Sequence, residues 1–401
     1  MIRVILCFLS LLTGLSVEAA GLGNRFFLVP TSHLDFFNFE DRPIVENSRS
    51  GLSLVQLSPM QVEEFSEQAH KQRNVCGGFT DAQVQMEKLG LSAEETLDWA
   101  LSRPLNVHRF VQSTTSYPTQ VERLMGLTNE SRLGSFLKEL TSFPDRSATS
   151  ELGTKASQWL GARSLQMAQS HGRNEVTVMT IPTKVGYKQD SVLVKIPGQD
   201  SKLPGILIGG HMDTFSDNKP GADDDGTGVA TVMEIYNAVL DSGMLFKRNI
   251  YFAFYSAEER GLYGSQAMAD DFQSKHIDLK AVLQYDMTGF KSPKDAQELY
   301  FVTDHVDTGL TNFLKILTQT YLKIPAQMIG ETRCGYACSD HASWTNAGYS
   351  SVFPFEASFE NYNKTLHTSK DTMELITPAH VMKFVKLGAA FAVETGEPTE
   401  R

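Results

Sequence analysis

Positive charge is in short supply along this chain. Lys and Arg number 36 against 47 Asp and Glu, which leaves a net charge of -11 over 401 residues. Neutralising phosphates needs clustered cations, so nucleic acid is excluded as a partner. Long apolar runs are also missing: beyond the first twenty residues nothing approaches the ~20 apolar positions that span a bilayer. Cysteine is scarce at 4, which excludes a disulfide-stapled miniprotein. There is no internal repeat and no low-complexity tract.

What is present begins with a leader. Arg3, the apolar run from Val4 to Leu15 and the small-residue stretch Val17-Glu18-Ala19-Ala20 suit a secretory signal over residues 1–19, cleaved by signal peptidase. The mature protein is therefore expected outside the cell, with no membrane anchor. Removing the signal removes Cys7 and leaves Cys76, Cys334 and Cys338. Gly335 lets the loop Cys334-Gly335-Tyr336-Ala337-Cys338 close tightly, and this predicts a Cys334–Cys338 disulfide with Cys76 unpaired. A structural zinc site is the competing reading of the pair, but no second cysteine pair completes it.

A globular composition, 41% hydrophobic and 21% charged, and this length suggest two folded parts. Residues 20–118 hold apolar clusters such as Arg25-Phe26-Phe27-Leu28-Val29 and one helix after Ser92, but no ligand constellation. They read as a propeptide or accessory region, ended by the polar stretch Ser113 to Pro118 where a processing protease can cut. From 119 to 401 strand and helix patterns alternate. Strands are expected at Val176–Met179, Ser191–Ile196, Gly205–Ile208, Ile250–Tyr255, Ala281–Tyr285, Tyr300–Val302 and Ser351–Phe355. Helices are expected around Leu133–Leu140, Ala156–Met167, Val229–Leu240, Leu310–Leu322 and Thr377–Val393, the last with Thr377 as N-cap and Pro378 following. This predicts a three-layer α/β/α domain around a mixed, mostly parallel sheet.

The chemistry-bearing residues sit at strand ends. They fall in Gly-Gly-His211-Met-Asp213, Gly-Ala-Asp223-Asp224-Asp225-Gly-Thr-Gly, Ala-Glu258-Glu259, Asp286-Met287-Thr288 and Leu366-His367-Thr-Ser-Lys-Asp371. Carboxylates gathered in a fold repel one another unless cations neutralise them, so converging acids with two histidines suggest a cage for two divalent ions. A lone histidine is more often packed or solvated, and His33, His70, His108, His171, His276, His305 and His380 are read so; His341 stays open. Asp213 and Asp371 are placed to accept the second imidazole N–H of His211 and His367. Asn129-Glu-Ser and Asn363-Lys-Thr match the glycan acceptor pattern.

Taken together with Cys-Gly-Tyr-Ala-Cys-Ser-Asp-His-Ala-Ser-Trp, these motifs resemble the catalytic domain of the secreted bacterial leucyl aminopeptidases that use two zinc ions. The resemblance covers residues 201–394 and extends back to about Leu124. It implies the fold of the zinc carboxypeptidases, Asp224 bridging both zincs, His211 and Asp286 completing one site, and Glu259 and His367 the other. It implies Glu258 as general base, Asp213 orienting His211, and a cis peptide after the bridging residue. Three ligating carboxylates and one hydroxide then balance two Zn2+ ions. Met287, Tyr336, Phe355, Phe359, Tyr362 and Leu366, with Val302 and Phe353, resemble the wall of a hydrophobic pocket for Leu, Phe or Met at a peptide's N-terminus. The expected enzyme is a monomer acting on peptide and protein N-termini. Rival readings are a carboxypeptidase or deacylase, a glutaminyl cyclase, or a receptor-like module that has lost catalysis.

Overall fold

The computed structural model describes residues 24–36, 44–47, 51–73, 79–102, 109–183, 186–215 and 219–399. The expected signal at 1–19, Cys7, Cys76 and His108 fall outside these, as does the side chain of His70.

The N-terminal part folds into a four-stranded antiparallel sheet built from β1 (Arg25–Pro30), β2 (Ile44–Asn47), β3 (Leu52–Leu57) and β4 (Thr80–Asp81), in the order β2-β3-β1-β4. Three helices accompany it: α1 (Pro59–Arg73), α2 (Gln83–Leu89) and α3 (Ala93–Ser102). Helix α3 opens on a capping box in which the Ser92 N–H donates to Glu95 at 2.8 Å and the Glu95 N–H to Ser92 Oγ at 3.3 Å. Phe27, Val29, Phe65 and Phe79 from this unit share one apolar cluster with Ala148, Ala257 and Tyr263 of the larger part.

Residues just before the expected boundary pack on the larger part. Phe110 is buried in the main core, and Glu394 accepts the N–H groups of Ser116 at 2.8 Å and Tyr117 at 3.1 Å. Helices α4 (Pro118–Gly126), α5 (Glu130–Leu140) and α6 (Glu151–Ser170) lead to β5 (Thr177–Ile181), β6 (Ser191–Ile196) and β7 (Gly205–His211). Then come α7 (Gly228–Ser242), β8 (Leu245–Phe246), β9 (Ile250–Tyr255), α8 (Tyr263–Ser274) and β10 (Leu279–Gln284). The chain closes with β11 (Leu299–Val302), α9 (Thr308–Tyr321), β12 (Ile329–Thr332), α10 (His341–Asn346), β13 (Ser351–Val352), β14 (Pro354–Phe355), α11 (Pro378–Gly396) and β15 (Pro398–Thr399).

Six strands form the central sheet in the order β13-β10-β7-β9-β6-β5, parallel from β13 to β9 and antiparallel at β6 and β5. Period-two alternation separates its faces. Val192, Val194, Ile206, Ile208, Phe252 and Phe254 pack with α5, α7 and α11, whereas Leu193, Leu207, Tyr251, Ala253 and Tyr255 pack with α8 and α10. That is the expected three-layer, mixed-sheet architecture. Among the described residues no helix is long and apolar enough to cross a membrane.

Two expected strands are placed differently. Tyr300–Val302 belongs to a separate three-stranded sheet, β12-β11-β14, and the run from Ser351 to Phe355 divides, β13 joining the central sheet and β14 the small one. Pro354 has no N–H to continue a ladder, and Phe353 turns its carbonyl to the Val302 N–H at 2.9 Å. Thr377 occupies the N-cap position of α11, but its side chain makes no capping bond.

Candidate metal centre

Parallel strands point their carboxyl ends the same way, so β7, β9 and β10 deliver three loops to one crevice. His211 closes β7 in register with Tyr255, three residues before Glu258, and Gln284 of β10 pairs with Gly209, two residues before Asp286. Between β7 and α7 the chain makes an irregular turn over Ala222–Thr227 with a cis peptide at Asp224-Asp225, as the resemblance implied.

The turn is tied down by Asp225. Its carboxylate accepts N–H groups from His211 at 3.1 Å, Gly228 at 2.8 Å and Met287 at 3.1 Å, knotting three loops together. Glycine is needed beside it: a Cβ on Gly228 would lie 2.1 Å from Asp225 Oδ1, and one on Gly210 would lie 2.8 Å from Oδ2. With its oxygens so engaged, Asp225 leaves the centre of the cage to Asp224, although an Asp225 oxygen also lies within 4.8 Å of ligand atoms of His211 and Asp286.

Asp224 faces both ways. Its Oδ1 is 3.2 Å from His211 Nε2 and its Oδ2 is 2.8 Å from His367 Nε2. Asp286 Oδ1 stands 3.6 Å from His211 Nε2, and Glu259 Oε2 stands 3.1 Å from His367 Nε2. The structure therefore brings His211, Asp224, Glu259, Asp286 and His367 together in two groups sharing one carboxylate. His211 Nε2 and Asp286 Oδ1 are buried atoms that make no hydrogen bond, the arrangement expected of donors awaiting a cation. Nitrogen and carboxylate oxygen in this proportion suit zinc. Burial opposes a charged His367, but Glu259 and Asp224 outweigh it and push the imidazole up to about 9. For His211, too, burial opposes the charge while Glu258 and Asp286 carry it well above the usual range.

Glu258 is fully buried beside them, and desolvation, reinforced by Asp340, Asp286 and Glu259, drives its carboxyl well upward. The Asp213 carboxylate accepts the N–H groups of Glu258 at 3.1 Å and Glu259 at 3.3 Å, and lies 3.5 Å from His211 Nδ1, whose nearer partner is the Asp213 carbonyl at 3.1 Å. Asp213 thus fixes both glutamates as well as the imidazole. Asp371 departs from expectation: instead of holding the His367 ring, its oxygens take the N–H groups of Asp223 and Asp224, each at 3.0 Å. The irregular turn exposes those two donors, and a carboxylate satisfies both.

The charge balance also differs from the sequence count. Asp213, Asp223, Asp225, Glu258, Asp340, Glu356 and Asp371 are buried around the three expected ligating acids. Among the described residues a buried arginine answers them. Arg146, fully buried, donates to the carbonyls of Met212 at 2.9 Å, Pro220 at 2.6 Å and Gly221 at 2.9 Å, and its charge faces Asp371, Asp225, Asp213 and Asp224. It lies 65 positions before His211 without a motif around it, and sequence reading missed it. Protons answer others: Glu356 is raised well above its ordinary range by burial and by Asp223, and the two share a hydrogen bond. Asn363, at 1% exposure, donates to Asp223 at 3.1 Å and Asp371 at 3.3 Å, so this apparent glycan acceptor is an interior residue. His341, left open before, is a core histidine: its Nε2 meets the Asp304 carbonyl at 3.2 Å, and burial pulls it down to about 3.

Beside the cage, Asp286, Met287, Cys338, Phe353, Phe355, Phe359, Tyr362 and Leu366 line a narrow apolar slot of about 20 Å³. Val302 and Tyr336 belong to the same cluster but not to that lining. Tyr336 sits at its edge, ring to ring with Phe359 at 6.2 Å and with His33 of the N-terminal unit at 6.1 Å. The Cys334–Cys338 disulfide is formed, with Cα atoms 6.1 Å apart, and Asp304 takes the N–H groups of Cys334 and Gly335. The N-terminal unit also reaches the cage directly: Ser66 Oγ donates to the Glu259 carbonyl at 2.9 Å.

Comparison with known proteins agrees with this geometry. The model of "Peptidase family M28" matches residues 191–392. The chain is 33% identical to "Leucine aminopeptidase 1" of Coccidioides posadasii in an alignment 376 residues long that covers 89% of this chain and 92% of that protein. Two solved Legionella pneumophila structures, the LapA aminopeptidase (TM-score 0.81) and LapB (0.84), are each 33% identical and cover 94% of this chain and 100% of theirs. The cage, the slot and these end-to-end similarities have one source: the chain belongs to peptidase family M28.

Proposed function

We propose that this peptidase is a secreted leucyl aminopeptidase holding two zinc ions, which releases large hydrophobic residues from the N-termini of peptides and proteins. The observation that carries this reading is Asp224, whose two oxygens face His211 and His367 at 3.2 and 2.8 Å. His211, Asp286 and Asp224 would hold one ion, and Glu259, His367 and Asp224 the other. When bound, the pair supplies Lewis-acid polarisation of the scissile carbonyl and lowers the pKa of water.

The chain's own groups do the rest. Glu258, with a raised proton affinity, takes a proton from the attacking water and delivers it to the leaving amine. Asp213 fixes Glu258 and Glu259 through their N–H groups. The apolar slot receives the first side chain and excludes water around the bond to be cut. A hydrophobic slot discriminates by only about 1 to 3 kcal/mol per methylene, so Leu, Phe and Met are all accepted. The N-terminal unit is read as a prosegment or accessory part, removed or retained by a processing protease.

The test is metal analysis of the purified protein, then chelation and zinc add-back, assayed on Leu-p-nitroanilide beside Glu-p-nitroanilide. The expected result is two zinc ions per chain, activity lost and regained with them, and Leu well ahead of Glu. Release of leucine only from carboxyl termini would overturn the assignment.

A further inference from the structure

The substrate slot and the cage share a buried polar brace. Glu356 follows Phe355 of the slot wall, and Asn363 follows Tyr362; both brace residues are 1% exposed. The two oxygens of Glu356 accept the N–H groups of Phe290 at 2.7 Å and Asn363 at 3.2 Å. The Asn363 amide nitrogen reaches Asp223 Oδ2 at 3.1 Å and Asp371 Oδ1 at 3.3 Å, while Asp371 Oδ2 accepts the N–H of Asp224 at 3.0 Å. Asn363 Oδ1 accepts the N–H and hydroxyl of Thr365 at 2.9 and 2.8 Å, two residues before His367. Every member of the chain from Phe355 to Asp224 is thus bonded and buried.

The slot that would take the first side chain is narrow. At about 20 Å³ it holds little more than one water-sized sphere. A side chain entering it presses on Phe355 and Tyr362, the chain neighbours of Glu356 and Asn363. We propose that Asn363 and Glu356 are positioning residues that couple filling of the slot to the seating of the Asp224 carboxylate, so that a hydrophobic first residue raises turnover as well as affinity. This rests on the peptidase reading above. The binding energy of a remote group is then used at the reacting centre rather than spread evenly.

The experiment compares Asn363→Ala and Glu356→Gln with the full-length protein. It measures kcat and KM on Leu- and Ala-p-nitroanilide, and the zinc affinity of each metal-stripped protein by competition with a chromophoric chelator. Asn363→Ala is expected to lose about 10- to 100-fold in kcat on the leucyl substrate and less on the alanyl one, with zinc affinity lowered by about tenfold. KM should stay within about twofold. Glu356→Gln preserves shape and one acceptor and should fall between; it carries the test if Asn363→Ala does not fold. Equal losses of kcat on both substrates, a change in KM alone, or no change would overturn the coupling. A parent protein inactive on both substrates would instead retire the peptidase reading, and unchanged zinc affinity in the variants would then overturn the brace as well.

Discussion

At the residue scale, two side chains carry the sharpest consequences. The proposed function gives Glu258 the proton transfers, whereas Glu259 faces His367 at 3.1 Å, so it assigns adjacent glutamates separable roles. Glu258→Gln is expected to keep both metals and lose about 10²- to 10⁴-fold in kcat, measured by metal analysis beside turnover; normal turnover would remove the assignment. Arg146 is the counterweight to the buried acids. Arg146→Leu strips three carbonyls of their donor and leaves the carboxylates facing one another, and a denaturant titration should show a loss of about 3 to 5 kcal/mol. A loss under about 1 kcal/mol would mean that solvent reaches the site.

The difference in legibility between these residues has a physical origin. His211, Asp224, Glu259, Asp286 and His367 could be read because each sits in a short segment whose neighbours also serve the site, such as the glycines that admit Asp225. Arg146 could not, because its partners are backbone carbonyls and a carbonyl has no sequence signature. Asp371 was seen but given the wrong partner: four residues from His367 suggested contact with the ring, and the irregular turn at Asp223–Asp224 supplied better donors. Positive φ at Ala257, Met287 and His367, at 53°, 58° and 58°, lay equally beyond reach, since none is a glycine. Non-glycine residues held there mark loops shaped for a purpose other than ease of folding.

At the scale of elements, β6, β7, β9 and β10 of the central sheet were readable because burial on both faces gives nearly unbroken apolar runs. The run from Ser351 to Phe355 was read as one strand for the same reason. Hydrophobicity cannot reveal that its halves serve different sheets, and only Pro354 hinted at a break. The disulfide loop invites a test at this scale. Closing so short a loop removes little chain entropy, so Cys334→Ser with Cys338→Ser should cost at most about 2 kcal/mol in a denaturant titration. Because Cys338 lines the slot, the same variant should raise KM for Leu-p-nitroanilide. Large destabilisation with unchanged KM would reverse that division of roles.

At the scale of the whole molecule, two predictions concern stability. The metal-free protein holds His367 at about 9, above its ordinary value of 6.5. A raised folded-state value means that the stabilisation is complete below 6.5 and is lost as pH climbs through about 9. The melting temperature of chelator-treated protein should therefore fall across that window, and zinc add-back should raise it most at the alkaline end, where no proton has to be displaced. A flat profile would argue against the paired imidazole. The second concerns where the large domain starts. The sequence placed it near Pro118 on polarity alone, yet Arg109 and Phe110 donate to Asp307 at 2.8 and 3.1 Å and Ser116 and Tyr117 to Glu394. A chain beginning at Arg109 should resist denaturant better than one beginning at Pro118.

The interior position of Asn363 bears on how the protein can be produced. Oligosaccharyl transfer acts on nascent chains, before the fold has hidden anything, and its enzyme would recognise Asn363-Lys364-Thr365. A sugar attached there has no room beside Asp223 and Asp371, so chains made in yeast or insect secretory pathways should split into a soluble, unmodified fraction and a retained, misfolded one.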